Sequence, residues 1–393
     1  MPSIDELKQA ACAAIDARRA ELIELSLAVH RAPELKFEEH RAAAALCAYL
    51  RAQGFAVEQP AHGLATGFRA TRGSGKPSVA ILCEYDALPG VGHACGHNVI
   101  AAAGAGAAAG LAGLIDQCRG TVVVLGTPGE EGGGGKILMS RAGAFDGLDA
   151  AMMIHPAGRE LSKMESLAVS QLIVEYRGTA AHASAAPFLG VNALDAIVTA
   201  YNAIAQLRQH IRPSERIHGI ITDGGRVPNI VPDKTAGWFY IRAANHADLQ
   251  SLRERVLGCF RAGADATGAE LSVRTPTPEY AELAVSPPLM SAYIDNLARL
   301  GRVVDVDDDG PPIVASTDMG NVSHLLPSIH PMIAIAPPAV ALHTAEFAEY
   351  AASESGHQGV IDGAKALAMT ALDVLANEEL RKAIQAEFRA RSS

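Results

Sequence analysis

With 393 residues, 49% hydrophobic and 19% charged, the chain has room for two domains and is too apolar to be disordered. A formal net charge of −10 argues against a nucleic-acid partner, because phosphate binding needs a basic face. Outside the Ala/Gly-rich stretch 99–115, whose side chains are too small to favour lipid, no apolar run reaches the roughly 18 residues a membrane span requires. The opening stretch "MPSIDELKQAACAAIDARRAELIELSLAVHR" reads as one amphipathic helix, not a signal peptide. Six cysteines are scattered without a disulfide spacing. These features predict a cytoplasmic protein in a reducing compartment.

Next come short apolar runs that end in chemistry. "PSVAILCEYDALPG" is apolar from Val79 to Leu82 and then delivers Glu84 and Asp86. "GHACGHN" follows, with Cys95 and His97 two residues apart. "TVVVLGTPGEE" is apolar from Val122 to Leu125 and delivers Glu130 and Glu131, and "DAAMMIHP" delivers His155. A fourth run, "PMIAIAPP", precedes "ALHTAEF" and His343. Apolar runs separated by helical stretches predict an α/β domain with a mixed, largely parallel sheet covered on both faces. Ligands of such sheets gather beyond the carboxyl ends of the strands, so the four runs point to one site.

The middle of the chain has a different rhythm. A strand ("LAVSQLIVEYRG"), a helix between Val191 and Ile211, two strands ("RIHGIITDGG" and "TAGWFYIRA"), a second helix and a last strand follow in turn. This β-α-β-β-α-β order predicts an inserted ferredoxin-like α+β domain over residues 169–281, leaving 1–168 and 282–393 as the catalytic domain. Trp238, the only tryptophan, reads as part of the inserted domain's core.

The stretch "GTPGEEGGGGK" looks at first like a phosphate loop. Counting back from Lys136, however, the required glycine is Glu130, and Ile137 stands where Ser or Thr should follow. Two carboxylates would also repel a triphosphate. Thiolate, imidazole and carboxylate are instead the ligand types of Zn²⁺ and its neighbours, and Cys95, His97, Glu131, His155 and His343 supply all three. Adjacent Glu130 and Glu131 can then divide the work, one holding metal and the other accepting a proton from the attacking water and returning it to a leaving amine.

At this point the motifs "CEYDALPGVGHACGHN", "GTPGEEGGGGK", "MMIHP", "GTAAHASAAP", "GGRVPNIVP", "STDMGNVSHLLPSIHP" and "LHTAEF" resemble the M20 metallopeptidase/amidohydrolase family. The branch most resembled holds aminobenzoyl-glutamate hydrolases and aminoacylase-1-like-2 dipeptidases. The resemblance runs in order from about residue 20 to 370. It implies a zinc-peptidase-like catalytic domain and an inserted lid that mediates homodimerisation. The implied reaction hydrolyses an N-acyl or N-aroyl amino acid, or an unusual dipeptide, with a free carboxylate.

Under the resemblance, Cys95, His97, Glu131, His155 and His343 match the metal ligands. Glu130 matches the general base, and Asp86 the aspartate that orients a ligand. His182 matches a lid histidine that hydrogen-bonds the oxyanion of the neighbouring protomer's site; Asn229 and Arg242 match lid positions that hold substrate carbonyl and carboxylate. One or two divalent ions per protomer are implied, Zn²⁺ first, then Mn²⁺ or Co²⁺. Asn98 departs from the Asp usual in the hippurate-type branch. Rival readings are a dipeptidase that requires a free amine, a hydrolase with Cys95 as nucleophile, and a non-catalytic binding protein on the same fold. His93 reads as standing behind the ligands, Ser316, Thr317 and Asp318 as pocket lining or a helix cap, and His324 and His330 as packing or surface residues.

Overall fold

The computed structural model describes residues 2–304 and 314–392. The chain forms two compact units: one runs to Glu165 and resumes at Leu283, and the other is Ser166–Glu282.

The first unit is built on a six-stranded sheet, in the order Ala56–Glu58, Phe68–Ser74, Gly120–Gly126, Ser78–Cys83, Ala150–Met152 and Ser328–Ile329. The last four strands run parallel, and the first two join antiparallel at one edge. Ser78–Cys83 is buried at every position, as expected of a parallel strand covered on both faces. One cover is helix His97–Leu111, "HNVIAAAGAGAAAGL", which is buried along its whole length. Its small side chains let helix Glu354–Ala376 approach closely: a Cβ on Gly106 would lie 3.0 Å from that of Ala364.

Two expectations need correction here. The opening stretch is two helices, Ile4–Asp16 and Arg19–Arg31, not one. Leu7, Ala11 and Ile15 face the core, as do Leu22, Leu25 and Val29, but no apolar residue is buried between Ile15 and Leu22. The two stripes keep one helical phase, with Ile15 and Leu22 seven residues apart, so the pattern runs on through the turn at Ala17–Arg18 without marking it. The run "PMIAIAPP" also lies outside the main sheet. Met332–Ala334 pairs in parallel with His155–Ala157 as a separate two-stranded sheet. The sixth strand of the main sheet is Ser328–Ile329, and Pro331, which has no N–H to give, separates the two.

In the second unit, strands Ala168–Arg177, Arg216–Asp223, Lys234–Ala243 and Glu270–Arg274 alternate with helices Ala193–Leu207 and His246–Thr267. The antiparallel sheet has the spatial order fourth, first, third, second, a ferredoxin-like sandwich. Leu172, Val174 and Tyr176 alternate inward with Phe239 and Ile241, and they meet Ile197, Val256 and Phe260 of the helices. The same alternation overturns the reading of Trp238. With Phe239 facing in, Trp238 faces out, 40% exposed and 5.7 Å from the Tyr240 ring. Among the described residues, no helix is long and apolar enough to cross a membrane.

Candidate metal centre

The strand Ser78–Cys83 ends in Glu84-Tyr85-Asp86, and extended backbone places residues two apart on one side. Both carboxylates are buried. Asp86 works as a hub. Its backbone oxygen lies 2.8 Å and its Oδ1 3.1 Å from His97 Nδ1, while its Oδ2 accepts the backbone N–H of Glu131 at 2.9 Å. With Nδ1 committed to Asp86, His97 offers Nε2 to an ion.

Gly96 sets the entry to the helix that begins at His97. Its φ of +74° is the left-handed conformation that glycine tolerates, and a Cβ there would lie 2.8 Å from the Pro156 ring. That close approach brings His155 beside Cys95, with Sγ and Nε2 3.4 Å apart. His155 Nδ1 lies 2.8 Å from the Pro156 carbonyl, so it carries the proton and Nε2 is left for an ion. His343 stands in a left-handed turn (φ 65°), its backbone N–H on the Ala94 carbonyl, and its Nε2 is 3.3 Å from Glu131 Oε1. In the glutamate loop, a Cβ on Gly135 would lie 1.7 Å from the Pro128 carbonyl oxygen, so only glycine lets the loop close.

Three donor groups result, each with its ligand atoms within 4.8 Å of one another: Cys95, His97 and His155; Cys95, Glu131 and His343; and His97, Glu130 and Glu131. These bring together the five residues matched as ligands, and Glu130 with them. The set fits a divalent ion. Its donors are one sulfur, three imidazoles and carboxylate oxygen; the buried His97 Nε2 has no hydrogen-bond partner, and the buried Glu131 Oε1 faces the His343 imidazole.

The electrostatics agree with that fit. Burial holds His155 down at about 4, so its imidazole is neutral. Burial opposes charge on His97, but Asp86 holds its imidazole well above the usual range; an ion binding there displaces a proton. Burial, then the charges of Glu84, Glu131 and Asp318, push the Glu130 carboxyl well above the usual carboxylate range. Burial also raises the Cys95 thiol. A nucleophilic cysteine needs the opposite shift, and metal coordination is what makes a buried thiol a thiolate.

Several further residues take up places around this set. Asp318 does not cap its own helix, Met319–Ser323; it accepts the backbone N–H of Lys136 at 2.9 Å and pairs with Lys136 Nζ at 2.6 Å. Lys136 Nζ also meets Glu84 Oε1 at 2.5 Å, and all three side chains are fully buried. His330 is a buried neighbour of His155, ring centroids 5.3 Å apart. His93 joins none of the donor groups and tilts against His30 at 6.0 Å. Asn98 points into the core, where its Nδ2 donates to Ser26 Oγ and to the Ala351 carbonyl, both at 2.9 Å. Spacing alone carried a signal for Glu84, two residues before Asp86. Nothing local joined Lys136 to Asp318 across 182 residues.

The remaining matched residues belong to the second unit. The backbone N–H of Ala183 donates to the Asn229 carbonyl at 3.0 Å, which ties the His182 and Asn229 loops together. His182 Nδ1 accepts the N–H groups of Ser184 at 3.3 Å and Ala185 at 3.2 Å, so its proton sits on Nε2, pointing a donor outward. Arg242 lies near the far end of strand Lys234–Ala243, its guanidinium over Tyr240. A cavity of about 800 Å³ in this unit is lined by both signs of charge, Arg177, Arg226 and Lys234 among Asp223, Asp233 and Glu270.

Comparison with known proteins identifies the family. The profile of Peptidase family M20/M25/M40 matches residues 80–372. A Xaa-Arg dipeptidase of Mus musculus is 41% identical across 98% of this chain and 93% of its own length. One of the p-aminobenzoyl-glutamate hydrolase chains of Escherichia coli (strain K12) is 30% identical across 95% of this chain and 93% of its own. A crystal structure of a Bacillus subtilis dinuclear metal-binding peptidase from the M20 family shares the fold, with a TM-score of 0.70 at 20% identity over 92% of this chain and 99% of that one. A profile that spans both halves of the donor set, and relatives aligned over nearly the whole chain, leave one assignment: this protein belongs to peptidase family M20/M25/M40 and is a metal-dependent hydrolase of amide bonds.

Proposed function

We propose that this protein cleaves the amide joining an acyl, aroyl or aminoacyl group to an amino acid whose carboxylate is free, with Glu130 as the proton carrier. The observation that carries the reading is the placement of Glu130: its carboxylate shares a 4.8 Å donor group with His97 and Glu131. Cys95, His97, Glu131, His155 and His343 would hold a divalent ion, which when bound would acidify a water and polarise the scissile carbonyl. Glu130, with its raised proton affinity, takes the proton from the attacking water and passes it to the leaving nitrogen. Asp86 fixes both His97 and the Glu131 backbone while this happens. Two of the donor groups share only Cys95, so the set would hold one ion or two, Zn²⁺ first by softness.

His182 Nε2–H is the donor for the oxyanion, Asn229 stands beside it, and Arg242 binds the substrate carboxylate. At roughly 3.3 Å per residue, Arg242 lies about 26 Å along its strand from Lys234, beyond which the His182 and Asn229 loops pair. One lid therefore cannot present both groups to one amide. Two lids can, so we infer a homodimer in which each site draws His182 and Asn229 from the partner. The edge strand Arg216–Asp223 supports this, with Ile220 61% exposed and Trp238 40% exposed on the same sheet. Six free cysteines support a cytoplasmic location.

The 41% relative makes a dipeptide ending in arginine the first substrate to test. Metal-stripped protein reloaded with Zn²⁺, Mn²⁺ or Co²⁺ should be assayed on Xaa-Arg and β-alanyl dipeptides, their N-acetyl forms, aminobenzoyl-glutamate and N-acyl amino acids. Turnover of at least one class, abolished by chelator, is expected. Cleavage of free-amine substrates alone would assign a strict dipeptidase, and no turnover of any class would overturn the proposal.

A further inference from the structure

Glu84 has no part in the reaction so far, yet it is one of the most deeply committed charges in the first unit. Its Oε1 takes Lys136 Nζ at 2.5 Å, and Lys136 is held in turn by both oxygens of Asp318, through Nζ at 2.6 Å and the backbone N–H at 2.9 Å. Its Oε2 is buried, has no hydrogen-bond partner, and lies 3.4 Å from His97 Nε2, which is also buried without one. His97 Nδ1 is already occupied by Asp86, so Nε2 is the nitrogen available to an ion. The two atoms thus converge in a closed space, and both offer lone pairs once an ion displaces the His97 proton. Donors each about 2.1 Å from one ion, at the tetrahedral angle, are about 3.4 Å apart.

The charge balance points the same way. Lys136 is one cation between two buried carboxylates, Glu84 and Asp318, which leaves an excess negative charge beside His97. As a source of stability such a cluster is poor, because desolvation offsets most of the attraction. As a mount it is effective: Lys136 occupies Oε1, so only Oε2 can turn toward an ion. Lys136 also stands at the start of helix Gly135–Arg141, directly after the loop of Glu130 and Glu131, and so joins the Glu84 strand end to that loop.

We propose that Glu84 is a ligand of the metal centre, its Oε2 binding the same divalent ion as His97 Nε2, with Lys136 and Asp318 as the residues that position it. The inference rests on the proposed metal centre.

Its test is a Co²⁺ titration of the metal-stripped full-length protein, followed by visible absorption, for the wild type, Glu84→Gln and Glu84→Asp. Gln keeps the shape and still accepts from Lys136; Asp keeps the charge but withdraws the oxygen by one methylene. Matching far-ultraviolet circular dichroism of the metal-free proteins establishes that each variant folds, and either one suffices. The expected result is Co²⁺ binding weakened about tenfold or more, with a shifted d–d band that reports a changed ligand set. Unchanged affinity and spectrum would overturn the inference and leave the metal centre standing. Weaker binding with an unchanged spectrum would also overturn it, making Glu84 a support of His97. A wild type that binds no Co²⁺ would instead remove the metal centre itself.

Discussion

Glu130 and Glu131 are adjacent in sequence but end in different surroundings, and the difference is measurable one residue at a time. Glu131 pairs with His343 at 3.3 Å, and its backbone is anchored by Asp86. Glu130 is buried among like charges, which favours the protonated form it needs to pass a proton on. Glu130→Gln is therefore expected to lower kcat by about 10²–10⁴-fold while metal content, read by mass spectrometry, stays at the wild-type level. Parallel loss of metal and activity would show that the two glutamates had been exchanged. At Cys95 the softest donor is at stake. Cys95→Ser should lose Zn²⁺ affinity more than Mn²⁺ affinity, compared by competition with a chromogenic chelator. A variant that bound Zn²⁺ as the wild type does but failed to turn over would favour a nucleophilic cysteine. Cys95, His97, Glu131 and His155 were legible because each follows an apolar run or a tight Cys-x-His spacing. Lys136 and Asp318 were not, because their meaning arises only when strand ends far apart in sequence converge. His330, read as a packing or surface residue, is a buried neighbour of His155.

Between elements, the glutamate loop is held from outside the donor set. Glu39, just before helix His40–Ala52, is fully buried. Its Oε1 accepts the N–H groups of Phe37 at 2.8 Å and Gly129 at 2.9 Å, and its Oε2 the Thr66 hydroxyl at 2.8 Å. Burial outweighs these donors and pushes its carboxyl up to about 7. The folded protein thus binds this proton more tightly than the unfolded chain does. Stability from Glu39 is fully present below the ordinary carboxylate range and is lost as pH rises through about 7, by up to about 3 kcal/mol. Urea unfolding of metal-free protein at pH 5 and pH 8 should show that loss, and Glu39→Gln should remove much of it; equal slopes in the two proteins would refute it. The strands that carry the donors could be read from continuous apolar runs, because a parallel strand covered on both faces has no polar side to show. The break at Ala17–Arg18 and the outward face of Trp238 could not. Helical periodicity runs unchanged through the break, because Ile15 and Leu22 are seven residues apart, and alternation gives two faces without saying which is inside.

At the scale of the whole molecule, the question is whether one chain makes a complete site. The His182 and Asn229 loops pair at one end of the second unit's sheet, through Ala183 N–H and the Asn229 carbonyl, and Arg242 belongs to the other. Under the proposed dimer, the ligands and Glu130 of a site come from one protomer and His182 from its partner, across a two-fold interface. Glu130→Ala and His182→Ala should then each be nearly inactive alone. When the two variants are dissociated and remixed in equal amounts, about half the dimers are mixed. In a mixed dimer, one site inherits both defects and the other inherits neither, so about a quarter of all sites should recover. Activity near a quarter of the wild type, appearing only after remixing and rising with the fraction of mixed dimers seen by native mass spectrometry, is the expected outcome. If protomers exchange and no activity returns, His182 serves its own chain or none. The two ends of the sheet would then have to serve different sites, and the argument from their separation would fail with the proposed pairing.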